Sequence, residues 1–280
     1  MEVTITWTID GKCSVKKTEM NIDDVREVYS GPEGQLWELI MGEQIHVGGW
    51  SQSAALAEKA GIEAGQKVLD VCSALGAGLR FLERKYGIEG YGLDATGHMV
   101  EEAIRRTEKD GQSGKIQYKV GNAESIPWPD ESFHVVWGED AWCYVEDKEK
   151  LIREAYRVLK PGGIIAFSDW IEGPSGMEED TALRICRFMK FPAVFTRRKY
   201  EEVLEANGFG VRTSQDLTEQ FAEYVEFYIR MLTEQLYFDA LKIIGWDEDL
   251  FQTMGSEMMF MCETARKGGF GRARIIAVKK

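Results

Sequence analysis

The chain lacks the cysteine pattern of a disulfide framework or a zinc site. Its five cysteines (Cys13, Cys72, Cys143, Cys186 and Cys262) are odd in number and widely spaced, with no C-x-x-C pair, which fits a reducing cytoplasm. Positive charge is scarce as well. The 34 Lys and Arg stand against 47 Asp and Glu, a formal net charge of -13, so a polyanionic nucleic-acid partner is not expected. The basic residues that gather from Arg266 to Lys280 read as a short solvated tail. No apolar run approaches the ~18 residues of a membrane span. The first residues carry no charged start followed by an apolar segment, so neither membrane nor export is expected and the reading is cytoplasmic. Internal repeats and low-complexity tracts are absent too. With 44% hydrophobic and 29% charged residues over 280 positions, the composition is that of one enlarged globular domain with a substantial core.

What is present is a strand-helix alternation. Val3, Ile5, Trp7 and Ile9 alternate with threonines before Asp10-Gly11, which predicts an N-terminal β-hairpin. Beyond a compact stretch from Tyr29 to Trp50, strand candidates fall at Lys67 to Val71, Gly90 to Asp94, Ile116 to Val120, Phe133 to Gly138, Gly163 to Asp169, Gly210 to Asp216 and Arg274 to Val278. Between them lie apolar stripes of helical period, such as Val100, Ala103, Ile104 and Thr107, and Leu151, Ile152, Ala155, Tyr156 and Leu159. The expectation is an α/β, Rossmann-like, seven-stranded, mostly parallel sheet with helices on both faces. Residues 1–50 read as hairpin and lid, and residues 51–280 as the main domain with helical insertions at about 173–200 and 218–266.

The most informative stretch is VLDVCSALGAGLRFL, Val68 to Leu82, a buried strand running through a small-residue turn into an amphipathic helix. Small residues at such a turn let the backbone and the helix N-terminus approach a nucleotide-like ligand. The glycine-rich form would read D-x-G-x-G-x-G from Asp70, and here Cys72 and Ala74 stand at the first two glycine positions while Gly76 is retained. Those two residues must therefore adopt negative φ or accept mild strain.

Three further landmarks follow in order: GYGLDATGHM, VGNAESIPWPDESFHVVW and RVLKPGGIIAFSDW. Together the four resemble class I S-adenosylmethionine-dependent methyltransferases, firmly over Val68 to Trp170. More narrowly, MGEQIHVGGW (Met41 to Trp50), preceded by Tyr29, and GEDAWCYV (Gly138 to Val145) are similar to segments of sarcosine/dimethylglycine and phosphoethanolamine N-methyltransferases. Where those families often carry His after the fourth strand, this chain has Tyr144. The resemblance implies S-adenosyl-L-methionine as cofactor. It would be held by Asp70, Cys72 and Gly76 in the turn, by Asp94 at the ribose hydroxyls, by Ala95 and Met99 flanking the adenine, and by Asn122, Ala123 and Glu124 beside it.

Methyl transfer from a sulfonium is an in-line displacement, so holding the nucleophile near the methyl carbon and excluding water can supply most of the catalysis. An amine acceptor must be uncharged when it attacks. Tyr29, His46, Asp140 and Tyr144 are the candidates for hydrogen-bonding the acceptor, and for His46 a satisfied lid histidine is an equal reading. Trp50, Trp142 and Trp170 offer faces for a methylated ammonium by cation-π attraction, with core packing the alternative. No metal is expected. The expected activity is methylation of a small-molecule acceptor, foremost an amine nitrogen. O- or C-methylation of an aromatic, quinone or lipid acceptor, and a non-catalytic cofactor-binding module, are the other readings. The hairpin and acidic surface leave a homodimer open.

Overall fold

The structure is a computed structural model that describes residues 16–280. Its elements run in chain order as β1 (Lys16–Lys17), α1 (Ile22–Ser30), α2 (Pro32–Met41), α3 (Gly49–Ala60), β2 (Lys67–Val71), α4 (Ala77–Tyr86), β3 (Glu89–Asp94), α5 (Gly97–Lys109), β4 (Ile116–Val120), β5 (Phe133–Glu139), α6 (Lys148–Val158), β6 (Leu159–Glu172), α7 (Glu179–Met189), β7 (Ala193–Val194), α8 (Arg197–Ala206), β8 (Phe209–Asp216), α9 (Thr218–Glu234), α10 (Tyr237–Ile243), α11 (Glu248–Arg266) and β9 (Phe270–Lys279). The hairpin expected at Val3 to Ile9 lies outside the described residues.

Seven strands form the main sheet in the order β4-β3-β2-β5-β6-β9-β8. The first five pair in parallel, and β9 is antiparallel to both neighbours, β6 and β8. Because successive side chains of a strand face opposite sides, each strand feeds two cores. Val68, Val135, Ala166 and Ile276 face Leu56, Leu79 and Leu82 of α3 and α4. Their neighbours Leu69, Val136, Ile165 and Ala277 face Leu151, Ile152 and Ala155 of α6 and Val203 and Leu204 of α8. Burying each of the larger aliphatic side chains contributes about 1.5–3 kcal/mol, and the near-continuous apolar strands are those of a sheet covered on both faces.

A third core is built on the helices outside this frame, from Trp37, Ile40, Phe221, Val225 and Met258, against Trp170 of β6 and Phe270 of β9. Trp170 lies near the C-terminal end of β6, so this helical cap stands over the carboxyl edge of the parallel strands. Strand β6 begins four residues before the expected Gly163. Leu159 pairs with Phe133, a register shift follows, and Gly162 takes φ 74 at the irregularity.

The strand order reverses beside β2, whose neighbours are β3 and β5. Ligands of open α/β sheets bind outside the carboxyl ends of the strands at such a reversal. Here that crevice is covered by α1 and by the loop after α2, at Gln44 and Ile45.

Candidate active site

The turn after β2 sets the geometry. Cys72, Ala74 and Gly76 have φ of 66°, 43° and 71°, so the left-handed backbone of a glycine-rich turn persists although two of its glycines are absent. Of the two outcomes open from sequence, strain is the one realised, at roughly 1–2 kcal/mol per non-glycine residue. Hydrogen bonds from β3 hold the conformation: the Cys72 and Ser73 amides donate to Leu93 O (2.8 and 3.1 Å), and the Ala74 amide donates to Asp94 Oδ2 (2.8 Å). Asp94 Oδ1 accepts from the Thr96 amide at 2.8 Å. The Asp94 carboxylate is thus fixed by two amides at the end of β3. Burial pushes its pKa up, against the pull of those hydrogen bonds.

These residues wall a cleft of about 1000 Å³, open solvent at its mouth included. It brings together Tyr29, Asp70, Cys72, Asp94, Ala95, Met99, Asn122, Ala123, Glu124, Asp140 and Tyr144 from the sequence-derived candidates. Asn122 commits its side-chain oxygen to the Glu124 amide (2.8 Å), which turns its NH₂ into the group left for a ligand. Gly76 lies just behind the wall as the N-cap of α4, and any side chain there would collide with the Tyr118 hydroxyl.

At the floor, Asp70 and Glu139 approach the first turn of α4. A Cβ added at Gly78 would stand 3.3 Å from Asp70 Oδ2 and 3.2 Å from Glu139 Oε2, so the absence of a side chain admits both carboxylates. The helix N-terminus favours negative charge there. Burial raises the Asp70 pKa well above its ordinary value, and the neighbouring Glu139 and Asp94 carboxylates raise it further. Glu139 Oε2 accepts from Trp137 Nε1 (3.1 Å), while Oε1 is buried without a hydrogen bond.

Asp140 is fully engaged. At φ 55 it accepts from the Val47 amide (2.9 Å) and from Arg272 Nε (2.7 Å), in an ion pair whose side chains are 1–2% exposed. His46 stands behind the cleft rather than in its wall. Its Nδ1 lies 3.3 Å from Val47 O, its Nε2 2.9 Å from Ser53 Oγ, and the same Nε2 3.3 Å from Glu139 Oε1. Tyr29 donates to the Tyr144 hydroxyl (2.9 Å) with the rings edge to face, and desolvation pushes both phenols above their usual range, so both are neutral donors. Lys148, completely buried, donates to the carbonyls of Cys143 (3.2 Å) and Val145 (2.9 Å), and Asp169 accepts from the Cys143 amide (3.0 Å). Tyr144 is therefore clamped from both sides.

The three tryptophans are not part of the cleft wall, which corrects the expected aromatic chamber. Trp50 is 40% exposed and stacks on Phe81. Trp142 turns into the core, donating to Val71 O (3.1 Å) and stacking on Phe167. Trp170 packs among Phe191, Phe221 and Phe270 under the cap. Sequence reasoning also passed over Gln44, Ser73, Glu139 and Arg272. Glu139 carried a signal, since it follows Trp137 by two positions on one face of β5. Arg272, read from sequence as part of a solvated tail, is instead buried in β9, where it meets Asp140 across 132 residues of chain. Among the described residues seven buried side-chain polar atoms make no hydrogen bond, and three of them, Gln44 Nε2, Ser73 Oγ and Glu139 Oε1, belong to residues of this cleft, the last with His46 Nε2 3.3 Å away.

Residues 69–167 match the profile of a methyltransferase domain. Phosphoethanolamine N-methyltransferase 1 of Triticum aestivum is 27% identical over 233 residues, 79% of this chain and 46% of the relative, so the chain spans about half the length of the curated relatives it matches. Among solved structures, a putative sarcosine dimethylglycine methyltransferase from Galdieria sulphuraria superposes with TM-score 0.82 at 18% identity, over 91% of this chain and 99% of that one. A Haemonchus contortus phosphoethanolamine N-methyltransferase 2, in complex with phosphomonomethylethanolamine and S-adenosylhomocysteine, gives TM-score 0.81 at 22% identity, over 91% and 58%. The strand order and these likenesses agree: the chain has the Rossmann-like methyltransferase fold, and its residues 69–167 match a methyltransferase domain.

Proposed function

We propose that the chain transfers a methyl group from S-adenosylmethionine to the nitrogen of a small amine. The observation that carries this reading is the meeting of three residues whose buried polar atoms make no hydrogen bond, Gln44, Ser73 and Glu139, with the fixed Asp94 carboxylate in one cleft at the strand-order reversal. A donor, a hydroxyl and a carboxylate oxygen suit a ligand that is polar at several points, and the left-handed turn lets backbone approach it closely.

Asp94 is assigned to the ribose hydroxyls, Ala95 and Met99 to the faces of the base, Asn122, Ala123 and Glu124 to its edge, and Asp70 with Ser73 to the amino-acid end. When bound, the cofactor supplies a sulfonium-activated methyl group. The remaining work falls to the chain's own residues. Tyr29 and Tyr144, both neutral, present hydroxyls that orient the acceptor. Glu139, in the cleft wall, is assigned the proton that an ammonium must lose before attack, with His46 Nε2 3.3 Å from its Oε1. Asp140 and Arg272 position the segment around Val47 rather than touch the acceptor. The cover formed by α1 with Gln44 and Ile45 excludes water.

Calorimetry with S-adenosylhomocysteine, followed by mass spectrometry of products from an amine panel, tests the reading. Cofactor binding with methylated amine is the expected result. Absence of cofactor binding at millimolar concentration, or methylation of phenols or quinones with no amine product, overturns it.

A further inference from the structure

Lys148 is the first residue of α6 and is only 1% exposed. Both facts count against an ammonium: burial strips its water and pushes its pKa down, and a helix N-terminus repels positive charge. It is held by three backbone carbonyls, Cys143 O (3.2 Å), Val145 O (2.9 Å) and Ala193 O (2.7 Å), with the Asp169 carboxylate as the opposite charge nearby. Replacing a buried charge by an apolar group of similar shape is often neutral, so stability alone does not account for a lysine here.

Each carbonyl leads to the Tyr29–Tyr144 pair. Cys143 and Val145 flank Tyr144, and Asp169 holds the Cys143 amide from the other side (3.0 Å). Ala193 belongs to β7, and Phe191 just before that strand packs edge to face on the Tyr144 ring at 4.9 Å. Strand β7 pairs with β1, and Thr18, next after β1, donates its hydroxyl to Phe191 O (2.7 Å) and its amide to Pro192 O (2.9 Å). Helix α1, which carries Tyr29, begins shortly after this strap, and its Ile22 amide donates to Glu146 Oε1 (2.9 Å). One ammonium therefore ties the segment bearing Tyr144 to the strap that leads into the helix bearing Tyr29. Resting on the amine-methylation reading, in which the two hydroxyls orient the acceptor, we infer that Lys148 is the positioning residue of this pair, and that it makes the docking of α1 over the cleft and the alignment of the two phenols one event. The hydroxyls meet at 2.9 Å from positions 115 residues apart, while Lys148 itself stands outside the cleft wall. A drift of about 1 Å in either element takes the pair out of hydrogen-bond range, and misplacement of that size can cost about a hundredfold in rate.

A double-mutant cycle on the full chain, Lys148→Met against Tyr144→Phe, tests this. The kcat and KM are measured for the amine of the panel with the highest kcat/KM, and S-adenosylhomocysteine affinity by calorimetry. Expected for Lys148→Met is a kcat lower by about tenfold or more, with S-adenosylhomocysteine affinity moved less than about threefold. In the Tyr144→Phe background the same substitution costs less than about threefold, because the hydroxyl it positions is already gone. A merely supporting lysine would lower kcat by one factor in both backgrounds, so equal factors overturn the inference. A kcat within about threefold of the parent, or cofactor affinity lost in step with kcat, overturns it as well. Should Lys148→Met not fold, Glu146→Ala, an exposed residue whose loss cuts the tie to α1, repeats the cycle with the same expectation, and additivity with Tyr144→Phe overturns it. Amide hydrogen exchange of the S-adenosylhomocysteine complex is followed alongside: Lys148→Met speeds exchange at the Tyr144 and Ile22 amides together by about tenfold or more and leaves the Ala74 amide unchanged. If cofactor binds and no amine is methylated, the amine reading has failed, and exchange alone decides the coupling: protection lost at Tyr144 with Ile22 unmoved overturns it.

Discussion

Ala74→Gly isolates the strain in the turn after β2. Ala74 sits at φ 43 with its amide donated to Asp94 Oδ2 at 2.8 Å, and its methyl is only half-buried, so little packing is lost with it. Removing Cβ relieves roughly 1–2 kcal/mol of left-handed strain. Glycine gives back about 0.4–1 kcal/mol through the freer unfolded chain. The net expectation is stabilisation of about 0.5–1 kcal/mol, a rise in melting temperature of roughly 1–4 °C for a chain of this size. Urea denaturation with a common slope, checked by thermal unfolding, measures it. Two companions bracket the result. Ala74→Val, which forces a branched side chain into the same φ, destabilises. Gly76→Ala destabilises more, because its methyl meets the Tyr118 hydroxyl as well. If Ala74→Gly instead lowers stability by 1 kcal/mol or more with the fold intact, the turn is not left-handed at 74 and the reasoning fails.

Removing the Asp94 carboxylate (Asp94→Ala) leaves the Ala74 and Thr96 amides unpaired, about 1–3 kcal/mol each if they stay dry, and calorimetry should show cofactor affinity reduced by more than tenfold. Arg272→Ala strands Asp140 in a buried site and should cost about 3–5 kcal/mol in urea unfolding, whereas a double replacement Arg272→Met with Asp140→Leu recovers part of that loss. Burial raises the Asp169 pKa to about 6, against the pull of Lys148 and Tyr200. The folded protein therefore keeps a proton that the unfolded chain has released. This group's contribution is most favourable below its unfolded value near 3.8 and is lost as pH rises to about 6. Asp169→Asn should flatten the fall in urea midpoint across that window, and an unchanged slope contradicts the assignment. Trp50→Ala should leave KM unchanged and cost under about 1 kcal/mol, while Trp142→Ala, emptied from the core, costs about 3–5 kcal/mol by the same assay.

Local pattern carried most of the frame. Lys67 to Val71 and Ile116 to Val120 coincide with β2 and β4 because short β-branched runs bounded by turns announce themselves within a few residues. Asp94 and Asn122 were readable for the same reason, since each belongs to a strand-end motif whose parts are adjacent in sequence. The tryptophans were misplaced because proximity to a strand end does not say which way a side chain turns. Trp142 follows β5 by three residues, yet its ring reaches back to Val71 and Phe167. The Asp140–Arg272 pair was invisible because the partners meet only after β9 has crossed between β6 and β8. Glu139 was overshadowed by the adjacent Asp140, and only three-dimensional contacts separate the carboxylate tied to Arg272 from the one that lacks a lysine or arginine partner.

The placement of β9 also has a consequence for synthesis. A nascent chain that has emerged through Gly269 presents β6 and β8 as two unpaired edges, with Asp140 still waiting for its guanidinium. The ligand chamber cannot set before the ten-residue β9 has emerged and wedged itself between them. Holding that interval short, or shielding it with a chaperone, is then what separates productive maturation from edge-to-edge aggregation.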